Sequence, residues 1–181
     1  MSKTERATVL PDVLAPGLRV VFCGTAAGRK SAESGFYYAG PANKFWRTLA
    51  ETGLTPRLLQ PCEFRELPRF GLGLTDTAKH SSGSDNNVPE EDHDVPGFLT
   101  KMRQFSPRVV AFNGLKPARL VFGRKVHGYG KRPERIGDAV VFVLPSTSSA
   151  ANGPWSISYW QQLADFVGEP GNGPTKWPCA G

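Results

Sequence analysis

Residues that build metal centres are scarce in this sequence. Its 181 residues include three cysteines and three histidines. Cys23, Cys62 and Cys179 form no Cys-x-x-Cys pair and are too few to supply the four thiolates of an iron–sulfur cluster. Reduced thiols in an intracellular, cytoplasmic setting (near the nucleoid in a bacterium) are therefore the expectation. His80, His93 and His127 lie in polar segments without neighbouring cysteine or carboxylate spacing, so they read as surface residues. No metal and no cofactor is expected. No apolar run approaches the roughly 20 residues of a membrane span, and the polar start Met1-Ser2-Lys3-Thr4-Glu5-Arg6 is unlike a signal peptide. No membrane contact is expected, and no repeat period is visible.

What is present suits a packed core. Hydrophobic residues make up 39% of the chain and include 11 Phe and 4 Trp, which excludes wholesale disorder. The length predicts one domain over residues 1–167 and a monomer, followed by a Gly/Pro-rich, poorly ordered tail over 168–181. Lys and Arg number 22 against 16 Asp and Glu, a net charge of +6. That balance fits a polyanionic partner, although solubility alone also accounts for it.

Three continuous apolar runs read as buried parallel strands: Leu18 to Cys23, Arg108 to Asn113, and Ala139 to Leu144. Gly71 to Thr75 reads as a short fourth. Helical spacing appears over Asn43 to Thr52, Pro96 to Phe105 and Ser158 to Val167. Helices alternating with buried strands predict a three-layer α/β/α sandwich around a mainly parallel sheet. The polar stretch Lys79 to Asp94 reads as a surface loop. In such sheets ligands gather at the carboxyl ends of the strands, so the loops after Cys23, Leu74, Phe112 and Leu144 are the ones to inspect.

After the first strand comes Gly24-Thr25-Ala26-Ala27-Gly28-Arg29-Lys30-Ser31, whose small residues let backbone N–H groups approach a ligand. Its spacing fits neither a Walker A loop nor the dinucleotide fingerprint, and a plain tight turn explains it equally well. Ser146, Thr147, Ser148 and Ser149 follow the last strand, where hydroxyls beside free N–H groups can hold phosphates, or simply form a linker. The cluster Phe36-Tyr37-Tyr38 between glycines suits a flat ligand such as a nucleobase, with one or two of the rings in the core.

Taken in order, Val21-Phe22-Cys23-Gly24, Gly28, Tyr38-Ala39-Gly40-Pro41-Ala42-Asn43-Lys44-Phe45-Trp46, Leu67 to Thr75, Pro107 to Gly114 and Val143 to Ser148 resemble one family. It is that of the mismatch-specific uracil/thymine DNA glycosylases, within the uracil-DNA glycosylase superfamily. The resemblance spans nearly the whole predicted domain. It implies an enzyme that flips a deaminated base out of DNA and hydrolyses its N-glycosidic bond in base excision repair. Uracil is the implied substrate; hypoxanthine and xanthine are further expectations because this chain's first motif lacks the family's asparagine, which leaves the site less able to discriminate. By the same resemblance Tyr38 stacks on the base, with Phe36 as second candidate, and backbone N–H groups from Thr25 to Gly28 meet its carbonyl oxygens. Asn113 would contact the base, though a turn asparagine closing the strand is the other reading.

Two departures stand out. The family's first motif carries an asparagine that holds the attacking water, and Ala26 stands in its place. Asp76 is the leading substitute, with a turn-capping role as the alternative, followed by Ser31 and then Glu33. The family's wedge loop corresponds to Ser149-Ala150-Ala151-Asn152, small residues that fill a base-sized gap poorly. Arg29 and Lys30, with Arg124, Lys125, Lys131, Arg132 and Arg135, are expected to track phosphates, or to be merely solvated. A non-catalytic protein that binds flipped or single-stranded bases is the competing reading, and a nucleotide-binding enzyme unrelated to DNA the third.

Overall fold

The computed structural model describes residues 6–151, 153 and 155–168. Five strands make one sheet in the order β2-β1-β3-β5-β4. They are β1 (Val20–Gly24), β2 (Leu72–Asp76), β3 (Val109–Asn113), β4 (Gly130–Ile136) and β5 (Ala139–Leu144). The first four neighbours in that order run parallel, and β4 closes one edge by antiparallel pairing with β5.

Each central strand is buried along its whole length, and its alternate residues feed two separate cores. Val20, Phe22, Val109, Ala111 and Phe142 face one core, with α2 (Phe45–Glu51), a 3₁₀ segment over Pro61–Phe70 and α5 (Ser158–Val167) packed on it. Val21, Cys23, Val110, Phe112 and Val141 face the other, covered by α3 (Val95–Phe105) and α4 (Leu115–Phe122). The result is the three-layer α/β/α sandwich that the alternating pattern predicts. Cys23 is fully buried in this core, and burial pushes its thiol well up.

β4 and α4 are among the elements with no counterpart in the sequence reading. β4 carries Lys131, Arg132 and Arg135 in a strand whose exposed and partly buried positions alternate, with Pro133 inside a register shift. The Lys131 ammonium lies 4.8 Å from the centre of the Phe166 ring, and Arg135 donates to the Asp138 carbonyl at the far end of the strand. These three cations therefore belong to an edge strand, not to a loop beside the cleft. α4 spans only eight residues and has Pro117 in its first turn, where a missing N–H costs nothing.

The chain's start covers the β2 edge through two 2.9 Å backbone hydrogen bonds between Val13 and Leu74. Only glycine fits at position 73, because a Cβ there would lie 2.6 Å from both the Val13 carbonyl and Leu18. On one face of the sheet, Trp160 ties α5 to the loop after β5. Its ring stacks on Phe22 at 5.6 Å, and its Nε1–H donates to the Pro145 carbonyl at 3.1 Å. Trp160→Phe is expected to cost about 1 kcal/mol through the lost hydrogen bond, and Trp160→Ala about 3–5 kcal/mol through the cavity. Urea denaturation of the two variants checks the order.

Candidate active site

A cleft of about 980 Å³ opens where β1, β2, β3 and β5 end. The loops singled out in the sequence all reach it: Gly24 to Ser31, Tyr38, Asp76, Asn113 to Lys116, and Pro145 to Ala151. The strands set their relative heights, and hydrogen bonds between the loops fix the rest.

The loops after β1 and β2 leave the sheet clamped together. Thr77 and Ala78 donate backbone N–H groups to the Gly24 and Thr25 carbonyls, and the Thr77 hydroxyl donates to the Thr25 carbonyl at 3.0 Å. Because that hydroxyl's hydrogen is spent, its 2.8 Å contact with His93 Nδ1 requires the proton on Nδ1, which leaves Nε2 bare and buried. His93 is thus a packed residue, not the surface histidine expected, and burial holds its pKa below the usual value. Part of the polar stretch 79–94 is likewise no free surface loop. Ser82 bridges to Ala27, Gly83 donates to the Ala27 carbonyl, and Asp85 accepts from the Thr25 hydroxyl, so Gly83 to Asn86 form a wall of the cleft.

Asp76 sits at the floor. The β1–β2 register sets it opposite Gly24, and a methyl group on Gly24 would fall 2.7 Å from Asp76 Oδ1. The residue is 6% exposed and its carboxylate accepts no hydrogen bond among the described residues, so it caps no turn. Burial pushes its pKa up to about 6; Lys79 acts against that rise and Asp12 adds to it. Such a carboxylate is a base of useful strength near neutral pH.

Tyr38 and Asn113 border the same floor. Tyr38 stacks one ring face on Phe45 at a centroid distance of 4.0 Å, and its ring lines the cleft. Burial, reinforced by the charge of Asp76, raises the pKa of its phenol well above the usual range. Asn113 exchanges two hydrogen bonds with Thr147, Nδ2 to Oγ1 at 2.9 Å and Thr147 N–H to Oδ1 at 3.0 Å. One amide hydrogen and one oxygen lone pair are not taken by Thr147.

Other candidates divide. Ala26 lines the cleft with only a methyl group. Ser31 is buried at the cleft wall, where its Oγ accepts the Ala39 N–H at 3.1 Å and so braces the Tyr38 loop. Phe36 turns away and packs 6.3 Å from Phe64, because the chain reverses at Tyr37, whose ring is in the core; Phe36 is not at the cleft. Glu33 is exposed and spent on Arg29 at 2.8 Å and Lys30 at 3.9 Å, outside the cleft lining. Arg29 and Lys30 stand at the mouth, in α1 (Arg29–Ser34). Ser146, Thr147, Ser148 and Ser149 line the far side, and Asn152 lies outside the described residues. Lys116 and Arg119 of α4, and Tyr129 just before β4, join the lining without having been read from the sequence, where neither element was visible. No cluster of potential metal ligands occurs among the described residues.

The architecture defines an α/β/α protein with a cleft at the carboxyl ends of parallel strands. A solution NMR structure of a candidate uracil DNA glycosylase from Methanosarcina acetivorans is similar in fold, with a TM-score of 0.53 at 23% identity over 78% of this chain and 84% of that one. Residues 11–164 match the sequence model of the uracil DNA glycosylase superfamily, and the chain belongs to that family.

An acid whose folded pKa is raised destabilises the fold above that pKa and costs nothing below its unfolded value. Asp76→Asn removes the charge, so it should stabilise the protein near pH 7.5 by on the order of 3 kcal/mol. The gain should shrink as pH falls through about 6 and vanish below the ordinary carboxylate value of 3.8. Thermal melts of both proteins from pH 4 to 8 check this.

Proposed function

We propose that the protein is a monofunctional DNA glycosylase of the mismatch-specific type, removing uracil from DNA by hydrolysing its N-glycosidic bond. The observation that carries this reading is Asp76: a buried carboxylate without a hydrogen-bond partner among the described residues, at the floor of the cleft and beside Tyr38 and Asn113. Family membership supports DNA as the substrate.

In this mechanism the flipped base enters with one face toward Tyr38 and an edge toward Asn113. The carbonyls of Gly24, Thr25 and Ala27 are engaged by neighbouring segments, whereas the Ala26 and Gly28 N–H groups donate to no acceptor among the described residues. They are suited to the oxygen that gains charge as the base departs. The C1′–N electron pair leaves with the base, and the Asp76 carboxylate stabilises the sugar cation. Water then adds to C1′ and its proton passes to Asp76. Hypoxanthine and xanthine are further substrates in this reading, because Ala26 imposes little on the shape of the base.

Ala26 also favours a second reading. Without a water-holding side chain in the first motif, the protein would bind flipped or single-stranded bases and leave them intact. Incubation with uracil-containing oligonucleotides followed by alkaline scission separates the two: strand breaks support the glycosylase, and retention without breaks supports the binder.

Asp76→Asn is expected to lower single-turnover excision by about 10²- to 10⁴-fold with DNA affinity retained. In the parent protein the rate should fall with unit slope below about pH 6, where the carboxylate becomes protonated. Undiminished cleavage by the variant would remove Asp76 from the mechanism. The small side chains of Ser149, Ala150 and Ala151 at the cleft make a weak wedge, so abasic product should leave readily. Multiple-turnover assays are expected to be linear from the start, and a burst followed by slow turnover would contradict the wedge argument.

A further inference from the structure

Resting on DNA as the ligand of the cleft, though not on excision, we propose that Tyr129 is a second stacking site. It takes an unpaired base of the same DNA strand, a few nucleotides away from the one at the Asp76 floor. The sheet order sets the two sites at opposite ends of the cleft: Asp76 closes β2 on one edge, and Tyr129 immediately precedes β4 on the other. Four strand spacings of about 4.8 Å lie between those edges, about 19 Å in all. Both residues line the same cleft of about 980 Å³, at the top of the roughly 300–1,000 Å³ that suits a drug-sized ligand. A single flipped base therefore fills only one end.

The chain presents Tyr129 at that far end. Gly128 and Gly130 flank it with φ +74° and +100°, so the backbone turns on both sides of the ring in conformations that glycine alone adopts freely. Gly130 pairs with Val143, next to the last residue of β5, which brings Tyr129 against the loop that leaves β5. In that loop a Cβ on Gly153 would lie 2.8 Å from the Tyr129 hydroxyl. The residue is half-buried at the margin of the core that contains Phe112 and Val143. Tyr159 meets its ring at 5.5 Å with 55° between the planes, and no aromatic ring is stacked on it among the described residues. Tyr38, in contrast, already has Phe45 stacked on one face.

The path between the two ends suits a sugar–phosphate backbone. Ser146 to Ala151 line it with no side chain larger than threonine. Lys116 and Arg119 stand along it, anchored on backbone carbonyls and with no carboxylate paired to them among the described residues. A cationic groove with an aromatic platform is the arrangement that holds single strands without reading their sequence, because every base offers a π-face. Bases inside a duplex are already stacked on both sides, so the base that Tyr129 takes is a single-stranded or locally opened one. Such a hold compensates for the weak wedge of Ser149, Ala150 and Ala151, since the strand is then fixed by a neighbouring base and not by filling the gap.

The test is a cycle between protein and DNA, read by fluorescence anisotropy on single-stranded oligonucleotides with one central uracil. Tyr129→Ala in the full chain should weaken binding roughly 5- to 150-fold, the worth of one base stacked on an aromatic ring, and Tyr129→Phe should keep most of the affinity. Abasic tetrahydrofuran is then placed at one flanking position at a time. Stacked bases rise about 3.4 Å per nucleotide along one strand, so a scan of about five nucleotides on each side covers the cleft. At one position the lost base should weaken the parent protein about as much as Tyr129→Ala does, and should cost the variant nothing further. Losses that simply add at every position, an equal loss in Tyr129→Phe, or no binding of single strands by the parent would overturn the proposal. The scan of the parent needs no variant, so a profile without one sensitive position overturns it even if Tyr129→Ala does not fold. Alkaline scission on the same oligonucleotides keeps the two readings apart. A sensitive position without strand breaks leaves the stacking site standing and the glycosylase reading refuted; strand breaks with a flat profile do the reverse.

Discussion

The parallel pairing of β1 with β2 places Gly24 beside Asp76, and the chemistry of the cleft depends on that register. A shift of one residue would reverse every side chain of β2 and move the carboxylate to the opposite face of the sheet. In the observed register Asp76 is drawn into the protein's interior edge with only a hydrogen atom from Gly24 in front of it. The charge is costly to keep there, and the surroundings are arranged so that it is not neutralised by direct pairing. Lys79, close enough to influence Asp76, is held 2.9 Å from Asp12 and donates to the Tyr37 hydroxyl at 3.0 Å. Asp12 also takes Lys101 at 2.6 Å and the Thr75 hydroxyl at 2.8 Å. Although burial opposes it, this set of partners holds the Asp12 carboxyl below its ordinary pKa. Asp12 thus absorbs two ammonium groups and leaves Asp76 as a free base.

The same division of labour governs the loops. Carbonyls of the first motif are tied down by Thr77, Ala78 and Gly83, while its N–H groups at Ala26 and Gly28 stay available. A loop of small residues is flexible by composition, yet this one is clamped from three directions without any side chain larger than threonine between Gly24 and Gly28. Rigidity comes from neighbouring segments, which is why small residues can line the site without loosening it. The Asn113–Thr147 pair repeats the device on the other side, joining the ends of β3 and β5.

Much of the central sheet was legible because buried parallel strands announce themselves as unbroken apolar runs, and β1, β3 and β5 are such runs. β2 was visible only as a short glycine-flanked segment, since Gly73 is there for the crossing of Val13 and Leu18 and not for strand propensity. β4 was unreadable: its Lys131-Arg132-Pro133-Glu134-Arg135 run has the composition of a loop, and only its partner β5 makes it a strand. Asp76 could be found from its place at a strand end. That its carboxylate would lack a partner could not, because Lys79 is three residues away and only the fold sends it to Asp12. The wall formed by Gly83 to Asn86 was equally hidden, since its contacts with Thr25 and Ala27 span more than 50 residues of chain.

Charge completes the picture. Many of the protein's cations are paired with acids: Arg29 with Glu33, Arg47 with Glu51, Arg57 with Glu63, Arg69 with Glu66. Lys116 and Arg119, on the cleft side of α4, instead rest on the carbonyls of Asp85 and Val126, with no carboxylate paired to them among the described residues. A polyanion approaching the cleft would raise the pKa of Asp76 and suppress the base that the proposed reaction needs. Fixed cations at the rim act in the opposite sense, holding phosphates at a distance while lowering the potential cost of a second negative charge at the floor. The net charge of +6 is therefore less informative than its placement. An unpaired carboxylate below and backbone-anchored cations above form a dipolar cleft, and that polarity suits a reaction in which a sugar becomes cationic while its base leaves as an anion.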